Sequence, residues 1–153
     1  MEKKEKKITK KAATPKVAAK PKAKYIEAVG RRKTSVARVR VYPGNAKKGS
    51  YHIEVNGVSF DKYLPLSRHR ATVCDPFKAL DISFETTVAA SGGGMSSQAE
   101  AIRHGIARAI VKHNPEYRSK IKALGYLRRD PRMVERKKFG SRKARRPQQW
   151  RKR

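Results

Sequence analysis

The densest groups of chemically capable side chains in this sequence are arginines and lysines. Arg31, Arg32 and Lys33 stand together, and the stretch from Arg128 to Arg153 holds nine Arg and four Lys. A guanidinium pairs with two oxygens of one phosphate and stacks on bases, whereas Lys supplies a charge without a fixed geometry. The excess of Arg in the last stretch therefore favours a fitted contact with a polyanion over simple solvation.

The one enzyme-like feature is the glycine triplet Gly92–Gly94, which precedes a helical pattern. Backbone amides at a helix N-terminus can hold an anion. A Walker loop requires Gly-Lys-Ser/Thr after four intervening residues, and residues 95–98 read Met-Ser-Ser-Gln instead. Three interpretations stay open: a tight strand-to-helix turn, a contact with an RNA backbone, and a nucleotide site like that of the galactokinase and homoserine kinase group. The second domain and catalytic acid of those kinases have no counterpart here.

Side chains suited to metal binding or catalysis are sparse. The four histidines, at positions 52, 69, 104 and 113, have neither the i, i+4 spacing nor the Cys partners of a zinc site, and Cys74 is the only cysteine. No Ser, His and acid arrangement stands out, and the acidic residues are too scattered for paired-carboxylate chemistry. The sequence therefore predicts no catalytic residue, no metal site and no cofactor.

The whole chain is strongly cationic. Its 153 residues include 40 Lys and Arg against 12 Asp and Glu, a formal charge of +28, and only 37% are hydrophobic. Self-repulsion of this size opposes compaction unless a polyanion neutralises it, which favours nucleic acid as the partner. No apolar run is long enough to span a bilayer, and the N-terminus lacks a secretory signal, so we expect a cytoplasmic protein without membrane contact.

The composition divides the chain into three segments. Residues 1–24 are Lys, Ala and Pro with little to bury, and we expect them to be disordered. Residues 25–127 hold most of the hydrophobic side chains and form the expected α/β core. We expect residues 128–153 to form an extended basic tail that is disordered until RNA surrounds it, with no burial pattern from Ser141 onward and with the only tryptophan, Trp150.

Two-residue alternation predicts the strands of the core. Ala37, Val39 and Val41 alternate with Arg38 and Arg40, so one face of this strand should be core and the other cationic. Further strands are predicted near residues 25–29, at 51–55 and 58–60 around an Asn56-Gly57 hairpin turn, and at 82–88.

Helical spacing predicts three helices. The first covers residues 61–80, with an interruption near Pro76. The second is capped by Ser97 and Glu100 as a capping box. Its expected inward stripe excludes Ala107 and consists of Ala99, Ile102, Ile106, Ala109, Ile110 and His113. The third is short, lies between Asn114-Pro115 and Gly125, and points Ile121 and Leu124 inward. The element order predicts a mixed, two-layer α/β fold.

Three stretches together resemble a known family. They are VGRRKTSVARV (29–39), GGGMSSQAEAIRHGIARAI (92–110) and LRRDPRMVERKKFGSRKARR (127–146). They are similar to the ninth protein of the small ribosomal subunit in its bacterial form, and the likeness covers about residues 25–153. Many bacterial members have Phe or Tyr and then Ser before the closing Lys-Arg, whereas this chain has Trp150 and Arg151.

The resemblance implies the α/β fold named after the second domain of the fifth small-subunit protein, which the kinases above share. It implies a place in the head of the small subunit, on the 3′ major domain of the ribosomal RNA and beside neighbouring head proteins. It also implies a tail that runs toward the peptidyl-site tRNA, with Lys152 and Arg153 close to the anticodon stem-loop.

We expect the ribosomal RNA contacts to come from cations of the core and of the tail. They are Arg31, Arg32, Lys33, Arg38, Arg40, Arg128, Arg129, Arg132, Arg136, Lys137, Lys138, Arg142, Lys143, Arg145 and Arg146. The alternative function is that of a nucleoid or histone-like protein that compacts DNA with its basic arms. It predicts salt-sensitive binding with little choice between duplex DNA and ribosomal RNA.

Overall fold

The computed structural model describes residues 25–43 and 51–149, and the predicted disorder of residues 1–24 lies outside this range. The strands are β1 (Ile26–Arg32), β2 (Ser35–Tyr42), β3 (Ile53–Val55), β4 (Val58–Ser59) and β5 (Glu85–Ser91), in the sheet order β1-β2-β5-β3-β4. The helices are α1 (Phe60–Tyr63), α2 (Ser67–Lys78), α3 (Met95–His113) and α4 (Arg118–Ala123), with a 3-10 turn at Pro115–Tyr117 before α4. The mixed α/β prediction is confirmed.

Strands β1, β2 and β5 form an antiparallel unit, with β1 at one edge of the sheet and β2 between the other two strands. Ala37, Val39 and Val41 on β2 are completely buried, while Arg38 between them is exposed. Opposite Arg38 stand Val29 on β1 and Ala89 on β5. The predicted alternation is therefore correct, and it produces a sheet with one core face and one outward face.

The β3–β4 hairpin is held to the sheet by its own turn. Asn56 and Gly57 have φ values of +51° and +78°, as the Asn-Gly signal predicts. The Asn56 side chain accepts a hydrogen bond from the amide of Ala90 at 2.9 Å and donates one to the carbonyl of Ala90 at 3.0 Å. Because β3 runs parallel to β5, the chain must cross over between them, and α1 and α2 form that crossover.

The long helix α3 lies directly on β1 and β2 because two glycines face each other there. A Cβ at Gly30 would collide with the carbonyl of Ala101 and the backbone of Gly105, and a Cβ at Gly105 would lie 2.5 Å from Val39 Cγ2. Such contacts leave no space for a side chain at either position. The pair therefore sets the distance between the helix and the sheet.

The predicted interruption of the first helix at Pro76 is wrong. The break falls at Leu64–Leu66, between α1 and α2, and Pro76 lies inside the last turns of α2 with its ring fully buried. A residue before proline is pushed out of the helical region. Leu64, which precedes Pro65, accordingly has φ −114° and ψ 85°.

Several other boundaries differ from the sequence expectations. Helix α3 begins at Met95, so Ser97 is its third residue rather than its cap, and the predicted capping box with Glu100 is wrong. Ala107, expected off the inward stripe, is completely buried, because α3 contacts both the sheet and α2. His113 and Leu124, expected inward, are exposed. The strand predicted at 82–88 begins later, at Glu85.

Candidate nucleic-acid interface

Arg32 holds the start of the C-terminal tail against the core. Its side chain, only 14% exposed, pairs with Glu100 Oε2 at 2.5 Å and with Asp130 Oδ2 at 3.0 Å. The same guanidinium donates to the backbone carbonyl of Arg132 at 3.0 Å. We call Arg32, Glu100 and Asp130 the tail clamp. It joins the end of β1, the first turns of α3 and the tail, which are distant in sequence.

Asp130 is also tied to its own segment. Its carboxylate accepts a hydrogen bond from the backbone amide of Arg132 at 2.9 Å and from the guanidinium of Arg132 at 3.0–3.2 Å. These bonds, together with the nearby charge of Arg32, lower the pKa of Asp130 to about 2. The carboxylate is therefore ionised at neutral pH, where it pairs with the guanidinium groups of Arg32 and Arg132.

The turn between β1 and β2 presents two further predicted cations. Lys33 is exposed at φ +50°, and the side chain of Arg31 projects from an exposed position. The amide of Arg31 donates to Nδ1 of His104 at 3.4 Å. Burial, followed by the charge of Arg108, lowers the pKa of His104, so this histidine favours its neutral form.

The outward face of the sheet carries Arg38 and Arg40. Both line a shallow cleft of about 380 Å³, together with Glu54, Asn56 and Thr87. Arg38 is exposed there. Arg40 is engaged by its neighbours: its Nε lies 2.8 Å from Glu27 Oε2, and its guanidinium lies 5.0 Å from the centre of the Tyr25 ring. Of the two, Arg38 is the more available to an external anion.

Beyond the tail clamp the chain leaves the body without a helix or strand. Every residue from 131 to 140 is exposed, and this run includes the predicted ligands Arg132, Arg136, Lys137 and Lys138. Further on, Arg142, Lys143, Arg145 and Arg146 are exposed, and the guanidinium of Arg145 also makes two hydrogen bonds to Glu135. Arg128 and Arg129 are exposed beside the tail clamp. Lys152 and Arg153 lie outside the described residues.

The glycine triplet forms a tight turn that is held by hydrogen bonds to the side chains of Ser35 and Ser97. Gly92 and Gly93 have φ values of +73° and +61°, and a Cβ at Gly93 would collide with the hydroxyl groups of Ser35 and Ser97. The amide of Gly94 donates to Ser97 Oγ at 3.0 Å, and Ser35 Oγ donates to the carbonyl of Gly92 at 3.0 Å. Of the three interpretations, this geometry favours the strand-to-helix turn.

The sequence analysis overlooked the acidic residues that organise the cations. Glu100, Asp130 and Glu135 each pair with a predicted RNA ligand. The available signal was the presence of only two acids, Asp130 and Glu135, within the basic tail. An isolated acid in a cationic segment indicates an internal ion pair, although the sequence alone does not identify its partner.

In 25–43 and 51–149, no group of three or more His, Cys, Asp or Glu residues is arranged to hold a metal ion. Over the same part of the chain, no helix combines the length and apolar character that crossing a membrane requires.

Comparison with known proteins identifies the class to which this body and tail belong. A family model described as Ribosomal protein S9/S16 matches residues 30–153, so the chain is a ribosomal protein. It is 47% identical over 126 residues to the small ribosomal subunit protein uS9 of Thermus thermophilus, covering 81% of this chain and 94% of that relative. It is 46% identical over 129 residues to the protein of the same name from Lawsonia intracellularis, covering 82% and 95%.

The chain belongs to the family of small ribosomal subunit protein uS9 and is a structural constituent of the small subunit. This membership confirms the resemblance seen in the sequence, and the five-stranded α/β sheet agrees with the fold that the resemblance implies. The family is a family of ribosomal proteins and not of enzymes.

Proposed function

We propose that this chain binds ribosomal RNA of the small-subunit head, in the 3′ major domain, and that the end of its tail lies beside the peptidyl-site tRNA. The observation that carries this proposal is the contrast at the tail clamp. One arginine and two acids fix the root of the tail, while the cations that follow are exposed. A tail whose first residues are fixed to the core and whose later cations are exposed is suited to enter folded RNA.

The predicted RNA ligands fall into two groups, those paired with carboxylates of the protein and those that are exposed. Arg32 and Arg145, and in part Arg40 and Arg132, are engaged by carboxylates and shape the protein. The remaining cations are available for phosphates: Arg31, Lys33, Arg38, Arg128, Arg129, Arg136, Lys137, Lys138, Arg142, Lys143 and Arg146. Each phosphate contact releases counterions, which makes the binding strongly dependent on salt.

The proposed division of the chain is an N-terminal extension (1–24), an RNA-binding core (25–127) and a basic tail (128–153). RNA that surrounds the tail neutralises its 13 basic residues and removes the repulsion among them, which holds the tail in place. At its end, Lys152 and the guanidinium of Arg153 bind phosphates of the anticodon stem-loop. They retain the tRNA without any chemical step. The core contacts neighbouring head proteins as well as RNA.

The experiment removes residues 149–153 from the full-length protein. We expect small subunits that contain the shortened protein to assemble, because the core and most tail cations remain. The dissociation of tRNA from the peptidyl site should be faster, because two phosphate-binding groups are lost. The rate is measured with labelled tRNA on purified small subunits.

The matched controls separate charge from chain length. The double variant Lys152→Ala, Arg153→Ala should reproduce the faster dissociation, whereas Gln148→Ala, which changes the residue just before the deleted segment without removing charge, should not. Unchanged tRNA retention in both the truncated and the double variant would reject the tRNA contact. No observation favours the nucleoid alternative, because the family is ribosomal.

A further inference from the structure

Residues 135–145, which we call the tail loop, are closed by a two-point ion pair. Glu135 accepts hydrogen bonds from Nε and Nη2 of Arg145 at 2.9 and 2.5 Å. Inside the loop, the amide of Ser141 donates to the carbonyl of Lys138 at 3.3 Å, and Gly140 turns the chain at φ +73°. The tail is therefore folded back on itself here.

The pair that closes the tail loop is ionised at neutral pH. The hydrogen bonds from Arg145 lower the pKa of Glu135 and raise the pKa of Arg145. An exposed ion pair by itself contributes little to stability. Its two-point geometry nevertheless fixes the direction of both side chains and holds the two ends of the loop together.

Phe139 lies at the turn of this loop with its side chain in solvent. The residue is 104% exposed, more than any other large hydrophobic residue in the described part of the chain. Lys137 and Lys138 precede it, and Arg142 and Lys143 follow it, all exposed. The ring packs against nothing within the protein, so its flat apolar face is free to stack on another aromatic group.

We propose that Phe139 stacks on an unpaired nucleobase while the cations on either side bind the phosphates of the same strand. Unpaired RNA offers a flat apolar face and regularly spaced phosphates, the two chemistries that the tail loop presents together. An apolar pocket of a neighbouring protein would accept the ring but would have to desolvate four flanking cations. The inference rests on the proposed RNA-binding function and specifies what one part of the tail recognises.

The inference also assigns a different role to one predicted ligand. Arg145 closes the tail loop through Glu135 and is thereby a positioning residue. The phosphates are left to the exposed cations of the loop, Lys137, Lys138, Arg142 and Lys143.

The test uses the full chain with Phe139→Ala, Phe139→Leu and Phe139→Trp. The probes are a single-stranded oligouridylate and an abasic oligomer with the same number of phosphates. We expect the Ala and Leu variants to bind oligouridylate about tenfold more weakly than the original chain, as loss of stacking on one base predicts, and the Trp variant to bind at least as tightly. The abasic oligomer should bind all four proteins equally.

A second measurement observes the tail loop directly, independent of binding elsewhere on this cationic protein. In the double variant Phe139→Trp, Trp150→Phe, the only indole is in the loop. Its fluorescence should be quenched by oligouridylate and not by the abasic oligomer, because only the former supplies a base.

The outcomes separate this inference from the proposed function. Full affinity of the Leu variant with a loss in the Ala variant would show that an aliphatic side chain replaces the ring, which would overturn the base-stacking inference, as would the absence of quenching. In either case salt-dependent binding of both oligomers would leave the proposed phosphate binding intact. Failure of the original chain to bind either oligomer would instead reject the proposed function.

Discussion

At the scale of single residues, the cations of this protein have two distinct tasks. Arg32 and Arg31 are neighbours, yet the guanidinium of Arg32 is 14% exposed and paired with two carboxylates, while Arg31 projects from the surface. Because adjacent residues of a strand point to opposite sides, one faces the tail and the other faces outward. A count of charges alone treats the two as equivalent.

Replacing Arg32 should therefore cost more stability than replacing Arg31. Arg32→Ala leaves Glu100 and Asp130 without their shared cation, and we expect the free energy of unfolding to fall by about 1–2 kcal/mol. The loss is smaller than for a fully buried pair because both carboxylates are about one-third exposed, at 35% and 30%.

The measurement is urea unfolding of the full chain, with Arg31→Ala as the matched control, expected within about 0.5 kcal/mol of the original. In Arg32→Ala, the amide of Arg132 should also exchange its hydrogen faster, since the tail clamp that holds its segment is broken. Equal stability of the two variants would show that the tail clamp is not structural.

At the scale of elements, the contact between α3 and the sheet organises the body. Gly30 and Gly105 allow backbone to approach backbone, and the side chains of Arg108 and Lys112 reach back to the carbonyls of Val29 and Glu27 on β1. These carbonyls belong to the edge strand of the sheet. Because these two carbonyls already accept hydrogen bonds from α3, they are less available to pair with a strand of another molecule.

A methyl group at this contact should be highly destabilising. In Gly30→Ala the new Cβ meets the backbone of Ala101 and Gly105, which cannot rotate away, and we expect a loss of about 3 kcal/mol or failure to fold. Gly94→Ala is the control, because Gly94 has φ −124° and nothing within 4 Å of the added Cβ, so the loss should stay within about 1 kcal/mol. Chemical unfolding compares the two, and equal losses would contradict the proposed close contact.

The elements also show how far the sequence specifies the fold. The two-residue period of β2, the Asn56-Gly57 turn and Gly125 after α4 were predicted correctly, because each depends on local backbone preferences. The position of the helix break and the start of α3 were not. Pro76 is accommodated by burial in the core, and Ser97 is used by the Gly94 amide and by Ser35, which is distant in the sequence. Tertiary packing decided both cases.

At the scale of the whole molecule, the positively charged residues far outnumber the acidic residues that could pair with them. Of the 40 Lys and Arg residues, only a few pair with carboxylates in the described part of the chain, among them the arginines of the tail clamp and of the pair that closes the tail loop, and the chain keeps a net charge of +28. The sequence predicted the basic tail and its nucleic-acid partner from composition. It did not predict the tail clamp or the tail loop, since each depends on which acid meets which arginine in space.

The central claim is that the tail is fixed at its root and becomes enclosed by RNA beyond it. The most direct measurement is a high-resolution electron microscopy map of small subunits that contain this protein and a peptidyl-site tRNA. We expect residues 128–149 to lie within ribosomal RNA, with the guanidinium of Arg153 at a phosphate of the anticodon stem-loop. A tail that runs outward into solvent, away from any nucleotide, would contradict it.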